Sequence, residues 1–154
     1  MMSIALTLHV LSVVVWVGGM FFAYMVLRPV AAIQLETSQR LRLWAAVFSQ
    51  FFPWVFLAVA LIFSTGLLML INGFGGIASA SLDLQLMMGT GIVMMLIFFH
   101  VYFAPFQRLK RAVGTEDWTA GGRHLAQMRV LIGINLLLGL ITVVIAAGGR
   151  YLPA

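Results

Sequence analysis

Four stretches of this chain contain no charged side chain, and their lengths decide what it can fold into. Residues 1–27 lack Asp, Glu, Lys and Arg entirely, as do Leu43–Leu82, Leu84–Gln107 and Val130–Gly149. An α-helix needs about 20 apolar residues to cross the hydrocarbon of a bilayer. Three of the runs suit one crossing each. The fourth, Leu43–Leu82, is longer than one crossing needs, and it leaves the hydrocarbon at Asn72-Gly73-Phe74-Gly75-Gly76, a turn-forming cluster. Runs this long are helices rather than barrel strands, because a helix satisfies its own backbone in lipid. The expected fold is all-α: a polytopic membrane protein, one four-helix transmembrane bundle over residues 1–154, with helices at about 3–27, 49–72, 84–107 and 126–148.

Composition agrees. The chain is 63% hydrophobic and 8% charged, against about a quarter charged in an ordinary soluble domain. Its net charge of +5 does not point to nucleic acid. The nine basic residues sit at the edges of the apolar runs, where topology signals and lipid headgroup contacts belong. The first uncharged run lacks a basic leader and a small-x-small cleavage site, and it is too long for a signal-peptide core, so a retained first helix is expected. Without cysteine there is no disulfide and no thiolate ligand.

The loops set the orientation. The first carries Arg28, Arg40 and Arg42; the third carries Arg108, Lys110, Arg111, Arg123 and Arg129; the second carries no Lys or Arg. The positive-inside rule puts the first and third loops in the cytoplasm and both termini outside, in the periplasm. The expected location is a bacterial inner membrane. Pro29 is expected to end the first helix, Pro53 to fall in the first turn of the second, and Pro105 to kink or stop the third. Thr37 to Ala46 reads as an amphipathic continuation into helix two, and Gln107 to Val113 as an extension of helix three.

Ionisable groups within a span are costly and mark function by default. All four acids fall in loops, which argues against a carboxylate proton relay. The histidines remain. His9 lies roughly 9 Å below the outer end of helix one at 1.5 Å per residue, and His100 lies near the inner end of helix three. Their depths argue against one haem held between them. On the outer side, Met87 and Met88, with Gln85 beside them, open helix three. A His–Met pair suits Cu(I), or a b-type haem with His/Met axial ligands. His9, Trp16 and Met20 share a helical face, followed by the small Gly18 and Gly19, which let a helix or flat macrocycle approach. On the inner side, His124 is near enough in sequence to helix three to approach His100. Arg28 could meet a propionate or a lipid phosphate. Against each stands a plainer reading: a packed polar contact for His9 and His100, a headgroup-level residue for His124, filler for the methionines and core packing for Trp16. Asn135 reads as an interhelical hydrogen-bonding residue.

With those residues in view, the chain resembles the copper resistance protein D (CopD) family. The likeness is carried by Leu8-His9-Val10-Leu11-Ser12 running into Val15-Trp16-Val17-Gly18-Gly19, and by His100-Val101-Tyr102-Phe103-Ala104-Pro105. The chain is also similar to HemJ-type protoporphyrinogen oxidases, four-helix haem b proteins, in the Leu8-His9 helix and the aromatic-His100-x-Tyr102 segment. Where those carry a lysine implicated in haem ligation, Gln85 stands here. The resemblance to CopD implies copper handling at the inner membrane, and the residues permit it with His9, Met87, Met88 and His100 as metal ligands and Gln85 and His124 as weaker ones. The HemJ likeness implies a haem b cytochrome or oxidase, with His9, His100, Trp16 and Arg28 around the cofactor. The expected partners are the bilayer, a quinone or membrane redox complex, and a second copy of the chain. A third expectation is a cofactor-free accessory subunit of a larger membrane complex.

Overall fold

The computed structural model describes residues 2–73, 76 and 81–148. Most of the second loop and the segment bearing Arg150 lie outside the described residues. The described chain is four long helices: α1 Met2–Gln34, α2 Thr37–Gly73, α3 Leu82–Gly114 and α4 Trp118–Gly148. Each is long and apolar enough to cross a membrane. Large apolar side chains face outward along all four, including Ile4, Phe63, Leu96 and Val144. In water such a surface would aggregate; in lipid it is solvated. The protein is a multi-pass membrane protein.

α1 and α3 are longer than their uncharged runs because Pro29 and Pro105 do not end them. The backbone passes through Pro29 to Gln34 and through Pro105 to Gly114. A proline ring clashes with the carbonyl four residues back and donates no hydrogen bond. Both prolines are accommodated by widened π turns, Phe22–Leu27 just before Pro29 and Tyr102–Phe106 around Pro105. In the second, the Gln107 side-chain amide donates to the Tyr102 carbonyl at 3.2 Å, so the altered ladder leaves that oxygen satisfied. Pro53 is not in a first turn either. α2 begins at Thr37, which makes Pro53 an interior residue. The expected amphipathic extensions, Thr37 to Ala46 and Gln107 to Val113, are helical.

Two short turns join the helices at the end rich in arginine, called here the basic end. Between α1 and α2, the Glu36 N–H donates to Gln39 Oε1 at 3.3 Å, one half of a capping box. Between α3 and α4, Glu116 takes a left-handed φ of 57°. Asp117 then caps α4 by accepting from the Ala120 N–H at 2.9 Å.

α1 lies antiparallel along α2, and α3 along α4. The pairs join where α4 meets α1 and α2, and where α2 meets the basic end of α3. The core is aromatic. Trp44, Phe48 and Phe52 stack one turn apart down α2, with ring centroids 5.1 Å apart at each step. Phe98, Tyr102 and Phe106 of α3 meet that ladder edge-on, Phe106 at 4.8 Å from Phe52. Leu41, Leu109 and Met128, all near the basic end, are almost completely enclosed.

Candidate functional site

His9 sits in the half of the bundle away from the arginines, on the face that α1 turns to α2. It is half-buried, with Nδ1 2.9 Å from the Thr65 hydroxyl. Thr65 is buried, and its hydroxyl donates to the Leu61 carbonyl one turn back. A hydroxyl has one proton, so with that proton on Leu61 its oxygen is an acceptor toward the imidazole. With the proton so placed, the tautomer that fits the contact is the one protonated on Nδ1. Nε2 is left with its lone pair, the form in which a neutral imidazole ligates a metal.

The helix spacing brings a methionine to the same seam. Thr65 and Met69 are four residues apart on one face of α2, and Met69 is half-buried. One turn further, an added Cβ on Gly73 would lie 2.7 Å from Met2 Cε. Met2, Met69 and His9 thus follow one another down the α1–α2 seam. Met69 and Thr65 were not singled out in the sequence. Their visible mark is a Thr-x-x-x-Met step in an apolar helix, which becomes informative only once α2 is known to face His9.

Met87 and Met88 are half-buried near the start of α3. α3 pairs with α4, bridged by the 2.9 Å hydrogen bond that Thr142 donates to Thr90. α1 is only a marginal neighbour of α3, and the two touch where the Trp16 and Phe98 rings meet at 6.1 Å. Counting from that contact at 1.5 Å per residue, Met88 and His9 differ in depth by roughly 5 Å. They share a level but lie on different helix pairs. Gln85, nearer the helix start, is exposed.

The same contact places His100 roughly 13 Å from His9 along the bundle. His100 is exposed. Nor does His100 approach His124: measured from Thr90–Thr142, they are about 12 Å apart along the axis. His124 is half-buried at the basic end. Trp16 is enclosed, its edge toward Phe98. It helps to wall a small cavity of about 20 Å³ with Met20 and Asn135, enough for about one water. Asn135 donates to Met20 Sδ at 3.8 Å, linking α4 to α1. Its Oδ1 is buried and lacks a hydrogen-bond partner. Arg28 lies over the Tyr24 ring, 4.7 Å from the centroid.

Among the described residues, no three His, Asp or Glu side chains converge as a metal cluster. Helix spacing puts Met69 one turn from Thr65 on α2, and a thioether matches the softness of Cu(I) and not that of Zn²⁺ or Mg²⁺.

A family model described as copper resistance protein D matches residues 45–148, more than half of the chain. The chain belongs to the CopD family. It is therefore a membrane protein of a copper-resistance family. The matched stretch takes in α2 from Ala45 and the whole of α3 and α4, and so includes Thr65, Met69, Met87, Met88 and His100. His9 and Trp16 precede it. No curated protein and no solved structure matches this CopD-family chain.

Proposed function

We propose that this CopD-family protein handles copper as Cu(I) at a bacterial inner membrane, with His9 Nε2 as the nitrogen ligand. The observation that carries the reading is the 2.9 Å contact between His9 Nδ1 and the Thr65 hydroxyl, which, with the Thr65 proton on Leu61, leaves Nε2 its lone pair. An imidazole placed in an apolar seam without such a partner is costly; here one nitrogen is satisfied and the other is available. Met69 is the nearest thioether along the seam, and Met2 lies two turns outward of His9. Met87 and Met88 stand at a similar depth on the neighbouring pair. His100, exposed and far along the axis, is a separate residue from this site. By the positive-inside rule the basic end faces the cytoplasm, and His9 lies in the periplasmic half.

In this reading copper is cargo. The seam offers soft donors in order: the thioethers of Met2 and Met69 outward, then the imidazole of His9. Thr65 holds the ring so that binding does not cost the freedom of its χ angles. Asp83, expected in a loop, instead lies in the first turn of α3; deeper in the described helices charge passing through is met by neutral donors.

The test is metal content together with an absorption spectrum of the detergent-purified protein. The expected result is copper that co-purifies with the wild type, is lost in His9→Ala and is retained in His100→Ala, with no Soret band. A Soret band lost in His9→Ala would replace copper with haem b at the same residue. A colourless protein that takes up no copper would overturn metal binding and favour an accessory subunit. For transport, unchanged copper accumulation in cells lacking the protein would be the contrary result.

A further inference from the structure

The basic end holds a second feature, independent of His9 and of the copper reading. α1, α2 and α4 part there around a cleft of about 660 Å³, within the range of about 300–1,000 Å³ typical of ligand sites. Trp44, Phe48 and Ile132 give it an apolar wall, and Arg28, Arg40 and Arg129 contribute the charge. The three guanidinium groups come from three different helices, so the fold gathers them.

None has an ion-pair partner among the described residues. Among the described residues the single ion pair is Arg42 with Glu116, and neither residue lines the cleft. Arg28 rests on the Tyr24 ring. That ring is itself pressed against α4, where an added Cβ on Gly133 would lie 3.0 Å from it. Arg40 and Arg129 make no side-chain hydrogen bond or ion pair among the described residues. Three like charges around a low-dielectric wall focus a positive potential into the cleft. Arg129 is also at headgroup depth, roughly 29 Å along α4 from Gly148, close to one hydrocarbon thickness.

We propose that this cleft binds one anionic phospholipid, its phosphate among Arg28, Arg40 and Arg129 and an acyl chain along Trp44, Phe48 and Ile132. Guanidinium forks match phosphate oxygens in charge and geometry. Basic pockets between helices on the cytoplasmic side are a known physical solution for anionic headgroups. The apolar wall is what distinguishes a lipid from free phosphate, which would leave that wall uncovered.

The experiment is native mass spectrometry of the full chain in detergent, with phosphatidylglycerol, phosphatidylcholine of the same chains, and inorganic phosphate as probes. Phosphatidylglycerol should be retained over phosphatidylcholine by about tenfold, because the two share the phosphate and only the second adds a choline cation that the arginines repel. The preference should disappear in the double variant Arg40→Gln/Arg129→Gln and persist in Arg111→Gln, an exposed position outside the cleft. Should the double variant not fold, the wild type supplies a second readout: its preference should fall as salt rises. Equal retention of both lipids by the wild type, or a preference that ignores both salt and the arginines, would overturn the proposal. So would displacement of the lipid by inorganic phosphate at equal concentration, which would mark an anion site without an acyl component.

Discussion

The two halves of the bundle are held by different physics. Toward the basic end, Trp44, Phe48, Phe52, Phe98, Tyr102 and Phe106 interlock as rings, with Leu41, Leu109 and Met128 enclosed behind them. In the other half small and aliphatic side chains such as Ala5, Ala58, Val59 and Leu70 fill the seams, bridged by single polar contacts, His9 to Thr65 and Thr142 to Thr90. Lipid tails are as apolar as leucine, so helices in a membrane associate through packing and hydrogen bonds and not through exclusion of water. The ringed half therefore supplies the rigidity. The polar half is the part that can open a seam for a ligand at little cost.

Breaking the ringed half should have the largest effect. Phe52→Ala removes the ring shared by five aromatic neighbours and should cost about 3–5 kcal/mol, read as a fall in the unfolding midpoint in mixed micelles. Next is overpacking. An added Cβ on Gly139 would lie 2.9 Å from Val17 Cγ2 and 3.1 Å from Met94 Cε, so Gly139→Ala should cost about 1–3 kcal/mol. Gly91→Ala meets nothing within 4 Å and should be neutral or raise stability by up to about 1 kcal/mol through helix propensity. If the two glycine variants behaved alike, the close approach of α4 to α1 and α3 would be wrong. Smallest is the polar half: Thr142→Val should cost about 0.6 kcal/mol, the usual worth of an interhelical hydrogen bond in a membrane. A loss there as large as that of Phe52→Ala would reverse the comparison.

Much of this fold was legible because charge is so costly in lipid that it marks boundaries directly. The four spans and the gathering of arginines at one end follow from that. The prolines misled for a local reason. Pro29 and Pro105 end helices in water, but a membrane helix that can widen into a π turn carries its hydrogen bonding past them. His9 stood out as an ionisable group in an apolar run. Thr65 did not, because a threonine in an apolar helix ordinarily satisfies itself on its own backbone, as Thr7 and Thr90 do. Its second role, orienting an imidazole 56 residues away, depends on how α1 meets α2. The arginine cleft is hidden in the same way, since Arg28, Arg40 and Arg129 converge only in three dimensions.

The central claim, that His9 is a copper ligand held in place by Thr65, is tested most directly by Cu(I) titration of the purified protein against a chromophoric chelator. The account predicts that His9→Ala abolishes binding and that His100→Ala leaves it intact. Thr65→Val, which removes the acceptor for Nδ1–H, should weaken affinity roughly 10–100-fold, as loss of an outer-shell partner does elsewhere. A His9→Ala protein that binds Cu(I) as tightly as the wild type would contradict it.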